Sequence, residues 1–247
     1  MGLLDIFKQT KSPFTKLDNW IFDENNIDLF FSQYFSPRKP VLIKGATINW
    51  PFMEKWCSEY ISSQYGSYQC TVVNDGRPAY SNEKTTLKNY FDNLENKSTL
   101  TLEPYHPKTK PVFFNDIPFP NPFFGNYDVA RYFFYHSIKD AGTLPHMHRD
   151  AFNMLQSGEK RWILHDASPT SCPTGNKTMK NYLKNYHVGS HAKDWFKKEI
   201  KTLPKKVTEV YECIQKSGDI VYIPVEYSHA VINHSEVMGL VVERIRK

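Results

Sequence analysis

The second half of the chain contains seven short runs rich in β-branched and aromatic residues. These runs span 131–138, 152–155, 160–165, 211–215, 219–224, 230–233 and 238–244. Turn-forming residues separate them: Gly142, Gly158, Ser217-Gly218 and Asn233-His234. Many short strands with regular turns are typical of a closed barrel or of two sheets packed face to face. We therefore expect this half to form a mainly β structure.

The first half mixes helical patterns with short strands. Amphipathic or capped patterns predict helices over 18–35, 50–65 and 85–94, and β-rich runs predict strands at 40–45 and 69–74. A proline-rich stretch at 104–123 contains four phenylalanines and is followed by Phe124, so it is expected to be an extended segment that packs rather than a solvated linker. We predict one domain over 1–247, in which residues 1–125 pack on a β core formed by 126–247.

The cysteines and the apolar runs indicate in which cellular compartment the protein is expected. The four cysteines, Cys57, Cys70, Cys172 and Cys213, lie far apart without a CxxC pair, which is typical of free thiols in a reducing compartment. No apolar run is long enough for a membrane span, and the first residues do not match a secretory signal. The expected location is the cytoplasm.

A possible metal site stands between two of the predicted strands. His148-Arg149-Asp150 is followed 79 residues later by His229. Residues i and i+2 of a strand point to the same side, so His148 and Asp150 could bind one ion together. Two imidazoles and a carboxylate on one face of Fe(II) leave three positions open for other ligands.

The segment GDIVYIPVEYSHAVIN resembles the second motif of the cupin superfamily, G-x5-P-x-G-x2-H-x3-N. Gly218, Pro224, His229 and Asn233 match that motif. Glu226 stands in its glycine position, so the turn must form without the positive-φ freedom of glycine or in another geometry.

The segment from Gly142 to Trp162 resembles the JmjC group of the cupin superfamily, which are Fe(II)- and 2-oxoglutarate-dependent oxygenases. The matching features are the H-x-D triplet, Asn153 and the Gly158-Glu-Lys-Arg-Trp162 run. PVLIKGATINWPFMEKW upstream and WFKKEI…YECIQKSGDIVYIP downstream extend the resemblance over most of residues 40–244. It implies a double-stranded β-helix, or jelly-roll, core with flanking helices.

The resemblance also implies roles for individual residues. His148, Asp150 and His229 would bind Fe(II), and Lys160 would pair with the distal carboxylate of the cosubstrate 2-oxoglutarate. Further polar contacts to the cosubstrate are expected from Asn153, Thr143 and Asn233. The implied reaction consumes O2 and hydroxylates a side chain of a protein, a peptide or an amino acid.

Two alternatives remain open from the residues themselves. His146-Met-His148 is itself an H-x-H pair, so the chain could be a metal-binding cupin without oxygenase activity in which His146 replaces Asp150. The insert at 172–208 is basic: between Lys177 and Lys206 there are nine lysines against Asp194 and Glu199. The insert could bind nucleic acid for an RNA-modifying oxygenase, although lysines on a solvated helix are the favoured explanation. A monomer and a homodimer are both compatible with the sequence.

Overall fold

The protein is built from two β-sheets that face each other and from helices that cover their outer surfaces. The computed structural model describes residues 14–73, 83–94, 99–102, 116–118, 121–123, 129–167, 192–198, 200–201, 203, 207 and 209–245. Its strands are β1 Thr15–Lys16, β2 Asn19–Ile21, β3 Val41–Lys44, β4 Gln69–Val73, β5 Glu83–Thr86, β6 Thr99–Leu102, β7 Val129–Ser137, β8 Gly142–His146, β9 Asp150–Ser157, β10 Glu159–Asp166, β11 Val210–Lys216, β12 Ile220–Ile223, β13 Tyr227–Asn233 and β14 Val237–Arg244. Its helices are α1 Ile27–Phe30, α2 Pro51–Lys55, α3 Ser58–Tyr65, α4 Leu87–Asp92 and α5 Ala192–Lys197.

The strands of the second half alternate between the two sheets. The order β11-β10-β13-β8 forms most of the smaller sheet, and β12-β9-β14-β7 forms the centre of the larger one. Apart from β10 and β11, which pair within the smaller sheet, consecutive strands from β7 to β14 cross from one sheet to the other, which is the jelly-roll arrangement. N-terminal strands extend both sheets: β1 joins the smaller sheet, and β2 to β6 join the larger one. The predicted mainly β fold is confirmed.

The register of the strands defines an inner face on each sheet. In the smaller sheet, Lys160 lies opposite Asn233, and Trp162 lies opposite Val231. In the larger sheet, Asn153 lies between Val221 and Val241. Trp162, Val231 and Val221 belong to one apolar cluster, so the two inner faces meet there. This contact lies between the row that contains Lys160 and the row that contains His229.

The outer face of the larger sheet is covered by the N-terminal half. The side chains that alternate with the inner ones, among them Phe134, Phe152 and Tyr222, belong to the largest apolar cluster. Phe30 of α1, Phe52 of α2 and other N-terminal aromatic residues pack into the same cluster. Helices on one face and a closed interior on the other explain why these strands are apolar on both sides.

The outer face of the smaller sheet is covered by α5. Trp195 and Phe196 of this helix are buried against Ile163, Ala230 and other residues of the sheet. The basic insert at 172–208 otherwise lies mostly outside the described residues, so its proposed contact with nucleic acid stays a prediction. The N-terminal segment 1–13 and most of 104–123 also lie outside the described residues. Within the described part of the chain, no helix has the length and hydrophobicity required to cross a bilayer.

Three local predictions differ from the structure. The helix predicted from residue 18 begins only after β2, because Trp20 pairs with Ile43 in a parallel ladder and Asp23 then caps the first helical turn. The helix predicted over 50–65 is split into α2 and α3, since Cys57 is extended and caps α3. Strand β8 carries two residues of the site and was not predicted.

The turn at Glu226 takes the geometry that the motif reserves for glycine. Glu226 has a φ of 72°, in the left-handed region. Its carboxylate lies 3.2 Å from Arg38, which is itself in the left-handed region. The conformation required by the motif is therefore kept at a position where a side chain costs about 1 kcal/mol relative to glycine. It brings the chain back into β13, two residues before His229.

Candidate metal centre

Three histidines converge at one end of the inner space. His146 is the last residue of β8 and lies directly opposite His229 of β13. His148 follows two residues later, in the short connection before β9. One nitrogen from each ring lies within 4.8 Å of the other two. The ring centroids are 4.2 Å apart for His146 and His229, and 4.7 Å apart for His148 and His229.

Hydrogen bonds orient all three rings in the same way. Nδ1 lies 2.8 Å from the Leu144 carbonyl in His146, 2.7 Å from the Arg149 carbonyl in His148 and 3.3 Å from the Tyr227 carbonyl in His229. A carbonyl oxygen only accepts hydrogen bonds, so each Nδ1 carries the proton and donates it. In a neutral ring Nε2 is then the basic nitrogen, which is the tautomer that binds metals.

The electrostatic environment of His229 favours the neutral form. Burial lowers its pKa well below the usual value of a histidine, and the neighbouring His146 and His148 lower it further. A neutral imidazole is the form that ligates a cation. Imidazole donors suit iron, zinc, copper and nickel, so the three histidines fit a divalent transition metal.

Asp150 lies outside the group formed by the three histidines. It begins β9 on the same face as Phe152 and Met154, and both of those residues belong to the apolar cluster under the N-terminal helices. Its Oδ1 accepts hydrogen bonds from the Tyr222 hydroxyl and the Val225 amide, each at 3.0 Å. This carboxylate therefore anchors the turn that leads into β13.

The expectation that His148 and Asp150 share one strand is wrong. His148 precedes β9, and only Asp150 belongs to it. The predicted pair is therefore separated by the strand boundary. The structure instead brings His146 beside His148 and His229, the H-x-H arrangement that the sequence left open.

Lys160 is a buried cation in the same inner space. Its Nζ lies 4.0 Å from the centre of the Tyr135 ring and 5.3 Å from that of Trp162. Among the described residues it has no carboxylate partner, and burial lowers its pKa to about 7. Its charge also lowers the pKa of His229, so the lysine and the histidines share one pocket.

Tyr135 and Asn153 form the floor beneath this lysine. The Tyr135 hydroxyl donates to Oδ1 of Asn153 at 2.9 Å and to the Met154 carbonyl at 3.0 Å. Gly239 makes room for it, because a Cβ at that position would overlap both the Tyr135 hydroxyl and the Met154 carbonyl. The position of Tyr135 beneath Lys160 was not foreseen from the sequence.

Two further predicted residues present buried polar atoms without a partner among the described residues. The Thr143 hydroxyl has no hydrogen-bond partner, and neither has Oδ1 of Asn233. The Asn233 amide nitrogen donates to Ser137 at 2.8 Å, which directs the side chain. Asn233 pairs with Lys160 across two strands, and Thr143 pairs with Val231. Unsatisfied buried polar groups beside a cation indicate a polar ligand in this pocket.

Glu243 is a feature of the pocket that the motifs do not contain. It lies near the end of β14, and its side chain is 7% exposed. Its Oε1 is 4.0 Å from Nδ1 of His148, and its Oε2 is 3.9 Å from Nε of Arg131. Ninety-five residues separate Glu243 from His148 in the sequence, and no local pattern links them.

Comparison with known proteins shows which sequences are similar to this chain. The profile of the cupin-like domain family matches residues 27–243. An arginine-specific demethylase, JMJ22 of Arabidopsis thaliana, is 26% identical over 87% of this chain and 43% of its own length. The bifunctional arginine demethylase and lysyl-hydroxylase psr-1 of Caenorhabditis elegans is 25% identical over 88% of this chain and 59% of its own. Its counterpart in Caenorhabditis briggsae is 27% identical over 84% and 56%. The chain thus spans about half the length of these relatives.

Proposed function

Because the chain belongs to the cupin-like domain family, we propose that it is an Fe(II)- and 2-oxoglutarate-dependent oxygenase that acts on side chains of a protein or peptide. The relatives named for arginine demethylation and lysyl hydroxylation support this reaction class and suggest arginine or lysine as the target. The free thiols Cys57, Cys70 and Cys213 suit the reducing cytoplasm.

The observation that carries this proposal is the buried Lys160, which has no carboxylate partner among the described residues. An isolated charge in a semi-buried pocket is costly unless an anion compensates it. A carboxylate of 2-oxoglutarate would supply that anion, and the charge-assisted pair would be stronger than a surface one. Thr143 and Asn233 offer a hydroxyl and an amide oxygen that lack partners among the described residues beside it.

We propose His146, His148 and His229 as the metal ligands of this centre. Their Nε2 atoms would hold Fe(II), which when bound supplies the activation of O2 coupled to decarboxylation of the cosubstrate. The chain's own residues would orient the ligands and the cosubstrate and exclude water. Carbonyl hydrogen bonds orient the rings, Lys160 orients the cosubstrate, and Trp162 packs 5.9 Å from the His229 ring to exclude water from that side.

A second candidate is a metal-binding cupin without oxygenase activity. The observation that favours it is the third histidine, which takes the place of the carboxylate ligand expected from the H-x-D motif. The two candidates differ in what they require of Lys160. An oxygenase needs its charge, whereas a protein that only binds metal does not.

Succinate formation separates these candidates. The wild-type protein should convert 2-oxoglutarate to succinate only with Fe(II) and O2, and arginine- or lysine-containing peptides should increase the rate. Lys160→Met should reduce this turnover by about 100-fold while metal affinity stays unchanged, since a charged hydrogen bond contributes about 1.5–3 kcal/mol. Lys216→Met, on the adjacent strand and 68% exposed, is the matched control. Metal binding without succinate from the wild type would favour the second candidate.

A further inference from the structure

Glu243 offers a buried negative charge between the metal centre and the protein surface. Residues 239, 241 and 243 of β14 point to the inner face, where Gly239 lies opposite Tyr135 and Glu243 lies opposite Arg131. Lys160 is associated with Tyr135 at one end of this face, and His148 is associated with Glu243 at the other. The pocket therefore has a cationic inner end and an anionic outer end, with the histidines between them.

The Glu243 carboxylate is poorly compensated within the described part of the chain. Its charged neighbours there are Arg131 Nε at 3.9 Å and His148 Nδ1 at 4.0 Å, and both lie beyond hydrogen-bond distance. His148 already donates this proton to the Arg149 carbonyl. A carboxylate that is 7% exposed and makes no close contact gains most from a cation that can enter the pocket and reach it.

Arg131 shows which kind of group fits there. Its guanidinium approaches the same carboxylate from outside, and its side chain is 56% exposed. An exposed pair at this separation is weak, so an entering cation can displace it at little cost. The position occupied by Arg131 is thus a model for a guanidinium or ammonium group that arrives from solvent.

We propose that Glu243 is the specificity-determining residue of the site and binds the cationic head of a substrate lysine or arginine side chain beside the metal centre. This inference rests on the proposed function, because it concerns the substrate of the same pocket. A substrate cation held by Glu243 would lie near Nδ1 of His148, whereas the proposed metal would lie at Nε2 of the same ring. An acidic side chain or a phosphate would be repelled at the same point.

Binding of defined peptide pools tests the proposal without depending on turnover. The wild-type protein is loaded with Mn²⁺ and 2-oxoglutarate without oxygen and titrated into dye-labelled peptide pools. The pools differ only at a central residue, which is lysine, arginine, norleucine, citrulline or glutamate. We expect lysine and arginine pools to bind about 10-fold tighter than norleucine and citrulline pools, the equivalent of one charged hydrogen bond.

Three variants identify the charge that is responsible. Glu243→Gln should remove the preference for cationic pools and keep the affinity for Mn²⁺. Arg131→Gln changes a charge at the same mouth and should keep the preference, and so should Glu159→Gln at an exposed position on β10. The proposal is overturned if the wild type shows no preference, if Glu243→Gln retains it, or if Arg131→Gln abolishes it equally.

The failure of this proposal can be told apart from failure of the proposed function. Succinate formation without peptide is measured on the wild type, where it depends on the metal, the cosubstrate and Lys160. A wild type that forms succinate and ignores peptide charge would overturn the role of Glu243 alone. A wild type that selects cationic peptides and forms no succinate would overturn only the oxygenase activity.

Discussion

Replacing Lys160 with methionine tests the cosubstrate site through protein stability as well as through activity. Burial lowers the pKa of Lys160 to about 7, whereas a lysine in an unfolded chain has a pKa of about 10.4. Each pKa unit corresponds to about 1.4 kcal/mol, so the buried charge costs about 5 kcal/mol. The Tyr135 ring at 4.0 Å from Nζ offsets about 2 kcal/mol of that cost through a cation–π contact. Lys160→Met should therefore raise the free energy of unfolding of the metal-free protein by about 3–5 kcal/mol below about pH 7.

The pH dependence of this gain has a definite sign. Below the folded-state pKa of about 7, Lys160 is protonated in both states and the full cost is present. Between about pH 7 and about pH 10, the unfolded chain binds a proton that the folded protein has lost, so the stability of the wild type rises with pH. Methionine does not titrate. The stability difference between variant and wild type should therefore shrink steadily over this range.

Urea unfolding followed by tryptophan fluorescence measures both effects. Curves are collected between about pH 6 and about pH 10 for the wild type, Lys160→Met and the exposed control Lys216→Met, and the midpoints and slopes are compared. With Mn²⁺ present throughout, adding 2-oxoglutarate should stabilise the wild type and leave Lys160→Met almost unaffected, because only ligand that binds the folded state contributes. Equal stability of wild type and variant at every pH would show that Lys160 is solvated or paired, and would refute the reasoning.

Other substitutions test the ligand set and the backbone of the site. His146→Ala should lower the affinity for Mn²⁺ by about 100-fold or more in calorimetric titration. Asp150→Asn retains an acceptor oxygen for both hydrogen bonds and should change the Mn²⁺ affinity by less than about 3-fold. A large loss for Asp150→Asn and a small one for His146→Ala would restore the H-x-D ligand set. Gly239→Ala should lower the free energy of unfolding by about 1–3 kcal/mol and weaken 2-oxoglutarate binding, because the methyl group of the alanine would displace Tyr135. An unchanged urea midpoint would contradict the close packing of Tyr135 against Gly239. Glu226→Gly should leave the free energy of unfolding unchanged or raise it by up to about 1 kcal/mol, since glycine relieves the left-handed strain and removes only an exposed ion pair. A clear decrease of the urea midpoint would show that the ion pair with Arg38 is needed to hold the turn.

Much of the fold was predictable because it depends on local patterns. The β-rich runs separated by turn residues predicted a mainly β structure, the family resemblance implied the jelly roll, and the cupin-like turn located His229 at the start of its strand. Gly158 has a φ of 87° and reverses the chain directly into the strand that carries Lys160. Each of these features is set by neighbouring residues, so it can be read along the sequence.

The composition of the metal site could not be read in the same way. HMHRD contains three possible ligands in five residues, and their directions depend on where β8 ends and β9 begins. Pairing of β8 with β13 brings His146 opposite His229. The Oδ1 atom of Asp150 accepts hydrogen bonds from Tyr222 and Val225, and Asp150 is not among the three residues that bring their ligand atoms within 4.8 Å of one another.

The sequence by itself thus determined the class of fold, the position of His229 and the cation at Lys160, since strand periodicity and turn residues act over a few positions. Only the tertiary structure decided that His146 lies close to His148 and His229, that Asp150 accepts hydrogen bonds from Tyr222 and Val225, and that Glu243 lies 4.0 Å from His148. These outcomes depend on strand register and on contacts between residues as far as 95 positions apart. Hydrogen-bond pairing between distant strands determines them, and local propensity carries no information about that pairing.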